Sequence, residues 1–408
     1  MAEGKHKKYA QLIAQIGLNV QKGQAVFISA PVEQAKFVSM VVEECYLCGA
    51  CAVYLEWYYQ PIDFLSSKFR TIESLSKLQL GEKEKWDYKL SNSFCKLYLW
   101  SGENVHLEEK ELLKMQKVKK LIYEQTINYR NALDNRYQSC IAAVPSESWA
   151  TKIFPNEPSH IAIDKLWEVI FCITYVNDYD PIEKWKQNNL EIKNKCKQLN
   201  TLKISRLEYK NALGTNLSVG LLEQGRFLGG GQKTIQGVEY NSNIPSEEIF
   251  TSPKFSEVNG IVYSSKPLVY MGEVIDNFSL QFESGRVVDV KAEKGESLLK
   301  SLISFDKGAS FLGECAIVPY NSRINNLNIL FYNTLFDENT SCHLALGRGF
   351  KECNLNYSQY SEQELYNLGI NESAIHVDFM IGTSDLTIEG FDKKGARIAI
   401  IKNGTWAL

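Results

Sequence analysis

The sequence predicts an α/β N-terminal domain with a mostly parallel sheet, followed by a β-rich α+β domain. Three observations carry that prediction. Apolar strand-length runs alternate with helix-period segments through the first 200 residues. From about residue 203 the runs become short and are separated by turn residues. Between the two regimes, residues 181–199 form a polar, Lys/Asn-rich helical pattern that serves as a connector. The domain boundary is accordingly set at 1–200 and 201–408.

Residues 7–16 have helical periodicity. Residues 24–29 (QAVFIS) form a buried strand that Pro31 ends, and residues 34–48 a helix that stops near Gly49. Residues 52–57, 94–100 and 139–144 are further strands, with 119–123 a candidate for one more. Strand–helix–strand order implies parallel pairing through right-handed crossovers. Residues 166–172 are helical. In the second half, Ser284-Gly285-Arg286 separates FSLQFE from VVDVKAE, the pattern of a hairpin. Residues 295–303 are helical, and 329–332 and 376–381 are strand-like.

At 408 residues the chain suits two or three domains. The net charge of −3 and the absence of long Lys/Arg runs exclude an extended basic face, so no nucleic-acid partner is expected. The longest apolar run, residues 166–176, is interrupted by Glu168 and is too short to span a bilayer. With no signal-peptide pattern at the start, a soluble cytoplasmic protein is expected, without a membrane partner. Ten cysteines in a chain this long are not a disulfide scaffold. Cys45, Cys48 and Cys51 have a C-x2-C-x2-C spacing, but no fourth ligand stands at useful distance and two of them fall on an apolar helix face. Core packing is therefore favoured over metal ligation. No glycine fingerprint follows the first strand, where Ser29-Ala30-Pro31 stands, which argues against a dinucleotide site. Gly229-Gly230-Gly231 lacks the Lys-Ser/Thr of a phosphate loop and is read as a flexible turn.

The chemistry concentrates in the last quarter. Only five histidines occur, and two of them, His343 and His376, have carboxylates nearby in Glu338 and Asp378. His376 and Asp378 are two apart in a strand-like run, so their side chains share a face and can share a metal cluster. The run is apolar, and a buried Asp must be paired or bound to a cation. Other acids are less decisive by themselves. Glu247 and Glu248 read as a solvated pair, and Glu338 as an exposed loop acid. Glu314, alone inside FLGECAIV, fits a surface-facing strand position and a functional acid equally well.

Taken together, the segments resemble a known family. They are YAQLIAQIGLNVQKGQ at 9–24, AVYLEW at 52–57, CIAAVPSESWA at 140–150, LGGGQKT at 228–234, NIPSEEIFTSP at 243–253, FLGECAIVP at 311–319, LFYNTLFDENTSCHLALGRGF at 330–350 and IHVDFMIGTSDL at 375–386. In this order they resemble the thermophilic-type metallo-aminopeptidases, the family of the aminopeptidase T, aminopeptidase S and PepS types, nearly from end to end. The resemblance implies hydrolysis of the N-terminal peptide bond at a two-metal site in the C-terminal domain. It implies Glu248, Glu314, Glu338, His343, His376 and Asp378 as ligands of two divalent ions (zinc, cobalt or magnesium), and peptides with a free N-terminus as substrates. It also implies a homodimer. Glu314 is the expected acceptor of the proton of the attacking water. One position departs from the family pattern. Where a tyrosine is implied seven residues past His343, this chain has Phe350, which has no hydroxyl. The alternative is therefore a metal-binding protein of the same fold with weak or lost peptidase activity. Tyr357 is a nearby substitute at an unmatched position.

Overall fold

The computed structural model describes residues 2–79, 81–102 and 108–408. Contacts divide the chain into two compact units: Met1–Asn189 with Gly231–Ser246, and Leu190–Gly230 with Glu247–Leu408. Residues 231–246 thus group with the first unit.

The first unit is built on five parallel strands. Its long strands are β1 (Ala25–Pro31), β2 (Ala52–Tyr58), β3 (Phe94–Trp100) and β4 (Gln138–Ala143). Their order is β4-β3-β1-β2, and the short strand Asn243–Ile244 adds to β4. Helices α1 (Ala2–Leu12) and α2 (Ala35–Leu47) have buried apolar faces. Phe37, Val38 and Val41 recur at helical spacing and are all buried. Helices α3 (Glu82–Ser91) and α4 (Glu109–Leu133) follow β2 and β3 in the chain. Residues 119–123, expected as a strand, lie inside α4. Their local Leu-Ile-Tyr content favours a strand, but 25 residues rich in Lys, Glu, Gln and Leu propagate a helix through them.

Cys45 is buried, and burial, then Cys48 and Glu44, pushes its thiol up to about 12. Cys51 is exposed, and all ten cysteines are free.

The second unit has two antiparallel sheets. The larger runs Glu273–Glu283, Pro253–Tyr263, Asn216–Leu221, Ile204–Lys210, Thr387–Asp392 and Arg397–Lys402, extended by short strands at its ends. Arg286–Lys294 pairs with Glu273–Glu283 as the expected hairpin; Ser284 and Gly285 both have positive φ, as a two-residue type I′ turn requires. The smaller sheet holds β5 (Ile249–Thr251), β6 (Leu312–Ile317), β7 (His343–Gly347) and β8 (His376–Met380) in that order, with Leu228–Gly229 beyond β5. One face of it enters the unit's main core through Leu312, Cys315, Ile317, Leu344, Leu346 and Phe379. There they join Leu207, Tyr209, Phe278 and Leu280 of the larger sheet. Strand alternation then turns the intervening residues, among them Glu314, His343, His376 and Asp378, to the opposite face.

Residues 329–332, expected as a strand, have no regular structure. The segment leads into a helical turn at Thr334–Asp337, where Asp337 accepts the amides of Phe331 and Asn333 in place of a strand partner.

Candidate metal centre

The register of the small sheet sets the site. Glu314 on β6, Ala345 on β7 and Asp378 on β8 lie directly opposite one another in one cross-strand row. His343 faces Ala316, and His376 faces Gly347. Small residues at 316, 345 and 347 thus alternate with the functional groups and leave room above the sheet. Glu314 reaches this face because β6 carries a bulge: Leu312 pairs with Leu346 and Glu314 with Ala345, two residues of β6 against one of β7. Gly313 is the extra residue. A Cβ there would lie 2.2 Å from the Arg348 carbonyl oxygen, so only glycine fits.

Glu248 arrives from the segment before β5. Gly229 passes so close that a Cβ on it would lie 2.5 Å from the Glu248 carbonyl oxygen. The first residue of the triglycine is therefore part of a strand beside Glu248, rather than only a turn.

These placements bring two groups of donors together. Glu248, Glu314 and His343 offer ligand atoms all within 4.8 Å of one another, and so do Glu314, His376 and Asp378. Glu314 belongs to both. His376 Nε2 lies 3.0 Å from Glu314 Oε2 and 3.2 Å from Asp378 Oδ1; His343 Nε2 lies 3.1 Å from Glu248 Oε2. Glu338 belongs to neither group but is buried beside them, and its charge is felt with those of Asp378, Glu248, His343 and Glu314. Read alone, Glu338 and Glu314 allowed exposed positions; the structure leaves them only 7% and 3% exposed. Glu248, from the pair that alone reads as solvated, turns its carboxylate to His343.

The second contacts of the imidazoles fix their tautomers. His376 Nδ1 is 2.7 Å from the Arg348 carbonyl and His343 Nδ1 is 3.3 Å from the Ser341 carbonyl. Nδ1–H is the donor to each carbonyl, which turns both Nε2 atoms to the carboxylates, where each would ligate a cation once its proton is released. Asn339, fully buried, accepts the Glu247 amide at 2.7 Å and directs its Nδ2 to the Leu335 carbonyl and to Glu338 Oε1. It ties the Glu247–Glu248 segment to the Glu338 turn. Sequence reasoning did not single out Asn339, Ser341 or Arg348. Only the adjacency of Asn339 to Glu338 was available as a signal, since backbone carbonyls carry none.

Electrostatics strain this cluster. Burial first, then Glu248 and Asp378, push Glu314 up to about 7 against the pull of His376. Burial also raises Glu338 well above the carboxylate range. His343 is desolvated too, yet Glu248, Glu314 and Asp378 hold its imidazolium up to about 10. Burial works against Asp378, but the two imidazoles keep it below its usual value.

The donor set fits divalent metal ions. Carboxylates and imidazoles suit zinc, cobalt and other hard or borderline ions. Three buried carboxylates clustered with the half-buried Glu248 call for cations. Among the described residues His343 Nε2 has no aligned hydrogen-bond partner, although Glu248 Oε2 lies 3.1 Å away. In the metal-free site Glu314 and His343 carry protons that a cation must displace, so metal affinity rises with pH. From pH 6 to pH 8 the apparent affinity is expected to rise about tenfold per pH unit for each proton released. Calorimetric metal titrations in buffers of different protonation enthalpy check this; uptake that is flat with pH would contradict it.

Phe350 stands next to the cluster. Its ring centroid is 4.9 Å from that of His376 and 5.1 Å from that of Phe250. Tyr357 packs instead with Leu222, Leu365 and Ile370 in a separate cluster.

Comparison with known proteins accords with this geometry. The family model described as thermophilic metalloprotease (M29) matches residues 2–406. Aminopeptidase 2 of Geobacillus stearothermophilus is 38% identical over 98% of this chain and 97% of its own length. Aminopeptidase AmpS of Bacillus subtilis is 38% identical over the same shares. The solved structure of wild-type AmpT from Thermus thermophilus superposes with a TM-score of 0.89 at 30% identity, covering 100% of both chains. It shares the parallel N-terminal sheet and the antiparallel C-terminal sheets expected from sequence. The chain belongs to the M29 thermophilic metalloprotease family and is a metallo-aminopeptidase.

Proposed function

We propose that the chain removes the N-terminal residue of peptides, with two divalent ions held by Glu248, Glu314, Glu338, His343, His376 and Asp378. The observation that carries this reading is the sharing of Glu314 between two groups of three donors. A carboxylate common to both groups would let two ions be held side by side. When bound, the ions supply Lewis acidity toward the scissile carbonyl and lower the pKa of a coordinated water.

The chain's own groups do the rest. Glu314 is buried and common to both donor groups, so it is the carboxylate we assign to take a proton from the attacking water and return it to the leaving amine. Arg348 and Ser341 hold the imidazoles through their carbonyls, and Asn339 holds the Glu248 and Glu338 segments. Zinc and cobalt suit the mixed imidazole–carboxylate set better than magnesium does. Ten free cysteines support a reducing, cytoplasmic setting. Among the described residues no helix is long and apolar enough to cross a membrane. For the homodimer that the family resemblance implies, the support is edge strand β2, which exposes Tyr54, Leu55 and Trp57.

The test is a peptide panel with free and acetylated N-termini, assayed with added zinc, cobalt or magnesium and again with chelator. Free N-termini alone are cut, and chelation abolishes cutting. Equal cleavage of the acetylated peptides would defeat the reading.

A second reading rests on Phe350, whose hydrocarbon ring lies beside His376. It is a metal-binding protein of this fold with little turnover, and the metals bind in both readings.

A further inference from the structure

A second cluster of charge, in the first unit, has no part in the metal centre. Lys96 sits on β3, flanked by Cys95 and Leu97, both fully buried. β3 runs between β1 and β4, and Lys96 lies opposite Phe27 on one side and Ser139 on the other. Central strands of parallel sheets are normally apolar on both faces, so a lysine there needs a reason. Among the described residues no hydrogen bond or ion pair engages its ammonium.

Two more cations stand over aromatic rings of the same unit. Lys89 on α3 places Nζ 4.6 Å from the Phe27 centroid and 5.4 Å from that of Trp86. Arg130 on α4 lies 5.8 Å from the Trp86 centroid and donates from Nε to Thr126 Oγ1. Lys96 and Lys89 are half-buried, and Arg130 is exposed at the rim. The one carboxylate facing Lys96 and Lys89 together is Glu56, and it is taken by Lys85 at 2.9 Å. Burial first, then its neighbour Arg130, drives the Lys96 ammonium below its usual range, and burial and Lys96 do the same to Lys89. Two desolvated lysines thus stand near a third cation, Arg130, an arrangement that a multivalent anion would relieve.

We propose that the cation cluster beside the aromatic packing of α3, β3 and α4 binds a phosphate-class oxyanion, held by Lys89, Lys96 and Arg130 at the edge of the rings of Phe27 and Trp86. Two of the cations are desolvated, which strengthens their hydrogen bonds to a dianion, while Arg130 at the rim closes over it. The source is either inorganic phosphate or the terminal group of a phosphate monoester, since both present the same oxygens.

The probes are inorganic phosphate and glycerol phosphate, titrated calorimetrically into the metal-loaded protein at ionic strength held constant with sodium chloride. Saturable binding of either is expected, and which one binds tighter identifies the source. Lys96→Met should weaken it by about tenfold or more, leave aminopeptidase turnover unchanged, and equal or exceed the wild-type melting temperature without phosphate. Phosphate bound at the metal centre would survive that substitution. Should Lys96→Met fail to fold, Arg130→Gln at the exposed rim gives the same comparison. Binding no different from chloride, or undiminished in these variants, would overturn the assignment.

Discussion

Glu314→Gln lowers turnover by about a thousandfold or more, within the range for losing a general base and equivalent to about 4 kcal/mol in the barrier. The effect is this large because one carboxylate serves both donor groups and also stands 3.0 Å from His376 Nε2. Glutamine keeps the shape and removes both the charge and the proton acceptor. A residue that only held the fold together would cost stability when changed. Here the opposite is expected. Burial and two neighbouring carboxylates push Glu314 up to about 7, so the metal-free protein carries a strained charge above that pH and loses nothing when it is removed. The metal-free variant should therefore melt at or above the wild-type temperature at pH 8, while its metal content and kcat fall. A variant that kept a tenth of wild-type turnover would remove Glu314 from its assigned role.

Phe350→Tyr is expected to raise kcat by about ten- to a hundredfold, the converse of losing one transition-state donor. The ring lies between His376 and Phe250, half-buried at the edge of the donor cluster, so an added hydroxyl enters a position beside the chemistry. The measurement is kcat and KM on one free-N-terminus peptide, with metal content determined on the same sample. A gain in kcat at unchanged metal content identifies a peptidase slowed by a missing hydroxyl. No gain, with metals bound, favours the binding role and leaves Phe350 outside the rate-limiting step.

Much of the fold was legible because it rests on local signals. β1 to β4 announce themselves as apolar runs closed by turn residues, and the Ser284-Gly285 turn by its glycine. Two segments misled. In residues 119–123 a three-residue apolar run spoke for a strand, but helix propagation over 25 residues decided. In residues 329–332 the β-rich composition found no partner strand, because Asp337 takes the backbone amides. The site was less legible than the fold. His376 and Asp378 stand two apart on one strand, so alternation alone puts them together. Glu314, His343 and Glu248 join them only through cross-strand register and a bulge at Gly313, both set by non-local pairing. The burial of Glu338 likewise depends on segments far away in sequence. The family resemblance carried that long-range information where residue chemistry alone favoured exposed acids.

The central claim is that two donor groups sharing Glu314 hold two ions on one face of the small sheet. Its most direct test is a crystal structure of the zinc- or cobalt-loaded protein, with anomalous scattering recorded at the metal edge. Two peaks per chain are predicted, one within Glu248, Glu314 and His343 and one within Glu314, His376 and Asp378, with Glu314 touching both. A single peak, or two ions that do not share Glu314, would contradict it.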